Sequence, residues 1–259
     1  MDSTIDMLFW QLAAAYLFVL LLTVIVRIKG IPREKEIFIA TVRMTLQLIL
    51  VGYILVYLFE HSHPFYTSLL VVIMLAFAIR TIIKRAKVKL SRRMKRIIAF
   101  SMTSGILLSL ICFIFVVLRL SPWYDPRYVI PIAGMIIGNS MTGIALGVNS
   151  LIEGMRSQKD KVEAALMLGA TPKHAAQDIV NKAFDAALLP TINSMVGMGI
   201  IFLPGMMTGQ ILSGTSPLVA VEYQIAIMLG IVGSVSLSVI LFVQLGYQTF
   251  FNRHSQLDL

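Results

Sequence analysis

Seven stretches of this chain are long and apolar enough to cross a lipid bilayer, and no other feature constrains its fold so tightly. A hydrocarbon core about 30 Å thick takes about 20 apolar residues at ~1.5 Å of helical rise each. The stretches are Leu8–Val26, Ile37–Phe59, Phe65–Ile83, Ile97–Leu118, Tyr128–Val148, Leu188–Leu212 and Val219–Leu245. Lipid offers backbone groups no hydrogen-bond partner, so segments of this length must be helices. The expected fold is an all-α integral membrane protein with about seven transmembrane helices. Composition agrees: 58% of the 259 residues are hydrophobic and 14% charged, against about 25% charged in ordinary soluble domains. Disordered chains, disulfide scaffolds and typical soluble enzymes are thereby excluded. The lone cysteine, Cys112, cannot form a bridge within the chain. The longest piece outside the spans is the 39-residue loop 149–187, so residues 1–259 form a single membrane domain. Asp2 and Asp6 precede the first stretch and no Lys or Arg does. A signal peptide would begin with a basic region, so the stretch is read as a true span.

The basic residues orient the chain. Four lie in Arg27–Glu36, nine in Arg80–Arg96, five in 149–187 and one after Leu245, which puts 19 of 22 on one side of the spans. Arg119 and Arg127 lie on the other side, and Arg43 falls within a span. The positive-inside rule makes the basic side cytoplasmic, with the N-terminus outside and the C-terminus in the cytoplasm. The net charge of +9 is thus a topology signal beside anionic headgroups, not a nucleic-acid surface.

Catalytic constellations are missing. His61, His63, His174 and His254 all lie outside the spans, as do all ten lysines. That leaves no intramembrane Ser–His pair and no retinal Schiff base. There is no Gly-Lys dipeptide, hence no P-loop, and no His-Glu-x-x-His helix. The chain itself is not expected to be an enzyme. The external Glu60-His61-Ser62-His63 string offers His61 and His63 as weak metal ligands. A wet interfacial loop accounts for the same residues, and the metal assignment stays open.

Spans five and six stand apart. Gly134/Gly138, Gly143/Gly147 and Gly205/Gly209 have the spacing that strips one helix face for close approach of another backbone. Asn139, Ser140 and Thr142 fall near the middle of span five, Asn193 and Ser194 in span six, and Gln210 near its outer end. Amides at such depth face a bundle interior or a pathway. Pro131 and Pro204 remove helix donors, and Pro204 leaves open whether span six is continuous. Asn139, Ser140, Met141, Asn193, Pro204, Met206, Met207 and the near-span carboxylate Glu222 are the candidate pathway residues. Methionine also fills apolar cores, which explains the thioethers equally well. Arg43 with Gln47 one turn on is read as a snorkelling side chain or an internal ion-pairing group.

The loop between these spans carries the sharpest local signals. Residues Ser150–Leu168 should form a helix stopped by Gly169. Thr171 then supplies an N-cap and Pro172 the first helical position. The second helix has an apolar stripe at Ala175/Ala176, Ile179/Val180, Ala183/Phe184 and Ala187/Leu188 and runs into span six. A helix–Gly–helix elbow of this kind suits docking to a cytoplasmic partner.

Glu163-Ala164-Ala165, three residues and Gly169-Ala170 resemble the cytoplasmic-loop motif of ABC transporter permeases. Here Leu189-Pro190 falls ten residues after Ile179, later than the family pattern places its Leu-Pro. Longer strings match more closely: Val129 to Met141, Leu168-Gly169-Ala170-Thr171-Pro172-Lys173, Leu203 to Gly209, Tyr223-Gln224-Ile225 and Arg43 to Gly52. Together they cover nearly the whole chain and are similar to the FetB (YbbM) permease family, whose members are described as iron exporters, with relatives linked to aluminium tolerance. The resemblance implies a multi-pass permease of the plasma membrane, paired with a separate ATPase subunit that carries ATP and Mg. It implies docking of that subunit on Glu163, Ala164, Ala165, Gly169, Ala170, Thr171 and Pro172. Seven helices are few for a complete channel, so a homodimer is expected, with a second copy sharing the route. The residues alone also accommodate an ATPase-independent secondary transporter or channel, in which broken Gly/Pro-rich spans recur.

Overall fold

A computed structural model describes residues 8–86, 88–252 and 254–258. Asp2 and Asp6, and the basic residues Lys87 and Arg253, lie outside the described set. The described residues are mostly helical and contain no strand, only two isolated bridges. The helices are α1 (Phe9–Ile28), α2 (Glu34–Glu60), α3 (Pro64–Arg85), α4 (Arg92–Cys112), α5 (Pro126–Ser157), α6 (Lys159–Met167), α7 (Pro172–Gly197), α8 (Gly205–Leu212) and α9 (Pro217–Gly246). A wider turn over Phe113–Val117 prolongs α4, and a tight turn over Tyr247–Phe250 prolongs α9. Six of these helices are long and apolar enough to cross a membrane: α1, α2, α3, α4, α5 and α9.

The chain divides into two compact units. One comprises α1 and α2 with residues 212–214. Within it the Tyr16 hydroxyl lies 2.6 Å from Thr45 Oγ1, tying the two apolar helices together by a polar contact. The other comprises residues 63–211 and 215–258 and holds the main core, in which α5 packs on α3, α7 and α9, and α9 on α4.

Small residues set the helix spacing in that core. A Cβ on Gly143 would lie 2.9 Å from Val235 Cγ1 and 3.2 Å from the Ala187 carbonyl oxygen. On Gly147 it would sit 3.4 Å from Ala187 Cβ. This pair is therefore the seam at which α5 meets α7 and α9, as small-x-x-x-small spacing leads one to expect. Gly105 of α4 makes the matching approach to the Ser238 backbone of α9. Between α5 and α9 the fully buried Ser140 and Ser234 hydroxyls lie 3.1 Å apart, each satisfying the other. Gly134 packs on Met74, whereas Gly138, Gly205 and Gly209 have open space where a Cβ would project.

The sixth expected span, Leu188–Leu212, is not one helix. Its first part is the end of α7, its last part is α8, and residues 198–204 between them are irregular. The break sits at Gly197, seven residues before Pro204. Gly199 there has φ +83°, a conformation that suits glycine. Its N–H donates to the Phe202 carbonyl at 3.0 Å, while the Ile201 N–H donates back to the Gly197 carbonyl at 2.8 Å. Pro204 starts the next element instead, its carbonyl accepting from the Thr208 N–H and hydroxyl. By contrast, α5 runs unbroken through Pro131 and α7 through Pro190. Span five also outlasts its apolar stretch, ending at Ser157 rather than Val148. The expected helix Ser150–Leu168 is therefore split at Gln158 between the last turns of α5 and the short α6.

Candidate functional site

Two regions concentrate the polar chemistry: the elbow joining α6 to α7, and the outward face of α5.

The elbow is held by capping at both sides of Gly169. Gly169 has φ +88°, and its N–H donates to the Leu166 carbonyl at 3.0 Å. The Ala170 N–H reaches the Ala165 carbonyl at 3.0 Å, closing the last turn of α6 in the glycine-terminated pattern. Two residues on, Thr171 Oγ1 accepts the His174 N–H at 3.4 Å and Pro172 opens α7. Val162 of α6 is buried in the same core cluster as Ala176, Ile179 and Val180 of α7. Lys161 Nζ lies 3.3 Å from Asp178 Oδ2 across the two helices, and Lys159 Nζ 3.7 Å from Glu163 Oε1 along α6. At its tip Met167 and Leu168 are 86% and 90% exposed. Two large apolar side chains standing free at the tip of the turn form an exposed apolar patch. Glu163, Ala165, Ala170 and Pro172 are half-buried beside that tip, and Ala164, Gly169 and Thr171 are exposed.

On α5 the candidate residues separate by face. Asn139 and Thr142 are exposed on the side turned away from the core. Asn139 Nδ2 donates to the Met135 carbonyl at 2.8 Å, which leaves its oxygen turned outward, and Thr142 Oγ1 donates to the Gly138 carbonyl at 3.1 Å. Ser140 faces the opposite way into the α5–α9 seam, and Met141 packs half-buried against the core. The outward face continues through Leu146, Asn149 and Glu153 at helical spacing. Helical rise puts Asn139 about 20 Å and Asn149 about 35 Å from Pro126. Asn149 and Glu153 were not legible as site residues in a span taken to end at Val148. Continuing the i, i+3/i+4 count from Asn139 is the signal that finds them.

The remaining candidates are dispersed. Asn193 is exposed on α7, next to Ser194, whose hydroxyl donates to the Pro190 carbonyl at 2.9 Å. Pro204, Met206 and Met207 are half-buried where α8 begins, and Glu222 is exposed on the second turn of α9. Gln224, about two turns from the α9 start and only 6% exposed, donates to Met198 Sδ at 3.8 Å across the α7 break. Arg43 and Gln47 share an exposed face of α2. The two histidines between α2 and α3 serve helix ends. His61 stacks on Tyr57 at 4.7 Å between ring centroids, and His63 Nδ1 accepts the Phe65 N–H at 3.2 Å as the N-cap of α3. Among the described residues no group of three or more His, Cys, Asp or Glu side chains is placed to hold a metal ion.

The model of the Uncharacterised protein family (UPF0014) matches residues 9–251. The chain is 38% identical over 228 residues to the UPF0014 membrane protein YjkA of Bacillus subtilis, covering 86% of this chain and 88% of the relative. It is 35% identical over 247 residues to the Probable iron export permease protein FetB of Escherichia coli, covering 95% and 93%. It is 35% identical over 246 residues to Protein ALUMINUM SENSITIVE 3 of Arabidopsis thaliana, covering 95% and 88%. No solved structure matches. With a family model spanning nearly its whole length and relatives matched end to end, this multi-pass membrane protein belongs to the UPF0014 family, alongside FetB.

Proposed function

We propose that the chain is the membrane-spanning subunit of an ABC transporter that exports a metal cation, with ATP hydrolysed on a separate subunit docked at the elbow. The observation that carries this reading is the Met167–Leu168 tip. Leaving a Leu or Met side chain in water forgoes about 1.5–3 kcal/mol of burial. Here both stand on a turn held rigid by Gly169, Thr171 and the packed α6–α7 pair. A rigid turn with an apolar tip and the Glu163-Ala164-Ala165 rim can seat in a groove of a partner and transmit its movement directly into α7.

In this reading the chain crosses the membrane seven times, the interrupted α7–α8 segment making the sixth pass. The N-terminus is outside, the C-terminus in the cytoplasm, and the membrane is the plasma membrane. Two copies share one route, lined by the outward face of α5 at Asn139 and Thr142. The open faces at Gly138, Gly205 and Gly209 leave room for the second copy. ATP with Mg closes the partner ATPases, which moves the Glu163–Pro172 elbow. The chain performs no catalysis itself. The shift passes along α7 to the Gly197 break, where two half-elements can swing without unwinding a continuous helix. Iron is the substrate suggested by the FetB relative, whose name is Probable iron export permease protein.

The interrupted α7–α8 segment also favours a second reading, an ATPase-independent secondary transporter, because discontinuous helices mark substrate sites in that class. Gentle solubilisation of tagged protein separates the two. The first reading expects an ATP-hydrolysing subunit to copurify and Leu168→Asp to release it. Wild-type protein that emerges alone and moves cations on an ion gradient establishes the second.

A further inference from the structure

Along the outward face of α5, Asn149, Glu153 and Ser157 follow one another at four-residue intervals, so their side chains lie on one line. They border two open clefts. The first, about 440 Å³, is also lined by Ser150, Gly154, Ile179 and Lys182. The second, about 510 Å³, is also lined by Val88, Ile152 and Arg156. Asn149 Oδ1 is buried and has no hydrogen-bond partner among the described residues. Such an orphan acceptor is costly unless a donor or a cation reaches it. One turn on, the Glu153 carboxylate is exposed, and it forms no ion pair with Lys182, Arg156 or any other described residue. Ser157 Oγ donates to the Gly154 carbonyl at 3.4 Å, and helical rise puts it about 12 Å along α5 from Asn149, too far to share one ion with it.

The two donors that one ion can reach together are both oxygen: one carboxylate and one amide carbonyl. That set selects hard cations over soft ones. Lys182 and Arg156 carry the positive charges that face it, one in each cleft. Both sit on flexible, exposed stems that can swing clear. Asn149 falls about 35 Å along α5 from Pro126, beyond a hydrocarbon layer of about 30 Å. The line thus lies at the basic end of the bundle and runs up the same face to Thr142 and Asn139.

We infer that Asn149 and Glu153, one turn apart, form a cytoplasmic loading site for a hard divalent or trivalent cation, at the mouth of the α5 route. The inference rests on the transporter reading for its purpose, but not for its chemistry. A site with one carboxylate and no cage is suited to passing an ion on, since conduction requires binding weak enough to release.

The test uses the full chain in phosphatidylcholine nanodiscs, titrated with MnCl2, with free Mn2+ read by electron paramagnetic resonance. Wild-type protein is expected to bind saturably. Glu153→Gln should weaken binding at least about tenfold, the scale on which even ligand-supporting groups change metal affinity. Asn149→Asp, which adds a second charged ligand, should tighten it. Asp160→Asn, on the exposed first turn of α6, should leave it unchanged. Absence of saturable binding, or a monodisperse Glu153→Gln protein that binds like wild type, overturns the site. If Glu153→Gln aggregates, an Asn149→Asp protein with unaltered affinity overturns it instead. Copurification of the ATPase is read on the same preparations. Loss of the partner from wild type sinks the transporter reading and leaves the cation result standing.

Discussion

At the scale of single residues, Gly169 carries the most consequence for its size. Its φ of +88° is strained for any side chain, at about 1–2 kcal/mol, and the caps of α6 and α7 both depend on the turn it makes. Gly169→Val should therefore distort the elbow and abolish transport while leaving membrane insertion and the amount of protein unchanged. Normal transport by that variant removes the docking role. Asn139 makes a second residue-scale test. Its side chain bonds only to its own helix and otherwise faces outward, so Asn139→Leu should cost the fold almost nothing. It should lower transport at least about tenfold if that amide contacts the substrate's path. Unimpaired transport by Asn139→Leu would remove that amide from the substrate's path. Ser140, its chain neighbour, teaches why residue-scale sequence reading needs a face: the two are adjacent in the chain, yet one is in the α5–α9 seam and the other outside it. His61 and His63 teach the same for ligands, because ring nitrogens close together in sequence are engaged by the ends of two different helices.

At the scale of elements, the glycine pairs divide into packed and open positions. Gly143→Leu would drive a side chain into Val235 and the Ala187 carbonyl, an overpacking cost of about 1–3 kcal/mol. Its apparent melting temperature should fall clearly below that of wild type. Gly138→Leu, with nothing within 4 Å of its Cβ position, should melt as wild type does. If a second copy packs there, size-exclusion chromatography should show Gly138→Leu shifted towards the monomer. Equal destabilisation by both substitutions contradicts the packing account. The elbow was legible from sequence nearly residue by residue, because glycine stops, threonine caps and proline starts act through local backbone chemistry. The broken sixth span was not. A hydropathy window averages over Gly197–Pro204 and records only apolar length, whereas the break comes from backbone hydrogen bonds around Gly199. The continuation of α5 past its apolar stretch was not legible for the reverse reason. Its final turns are polar, and hydropathy ends a span where the helix itself continues to Ser157.

At the scale of the whole molecule, the apolar stretches and the one-sided placement of Lys and Arg fix an all-helical membrane architecture. They leave the number of passes hanging on the α7–α8 segment. Seven passes put the two ends on opposite sides, so reporter fusions at the N- and C-terminus should show opposite accessibility in intact cells. Equal accessibility means an even number of passes and a re-entrant α7–α8 segment. The central claim, that a separate ATPase drives this chain through its elbow, is tested most directly in inside-out membrane vesicles carrying both subunits. Cation accumulation in the vesicles should require hydrolysable ATP, and Leu168→Asp in the permease should abolish it. Accumulation that persists in the Leu168→Asp vesicles on an ion gradient without ATP would contradict the account.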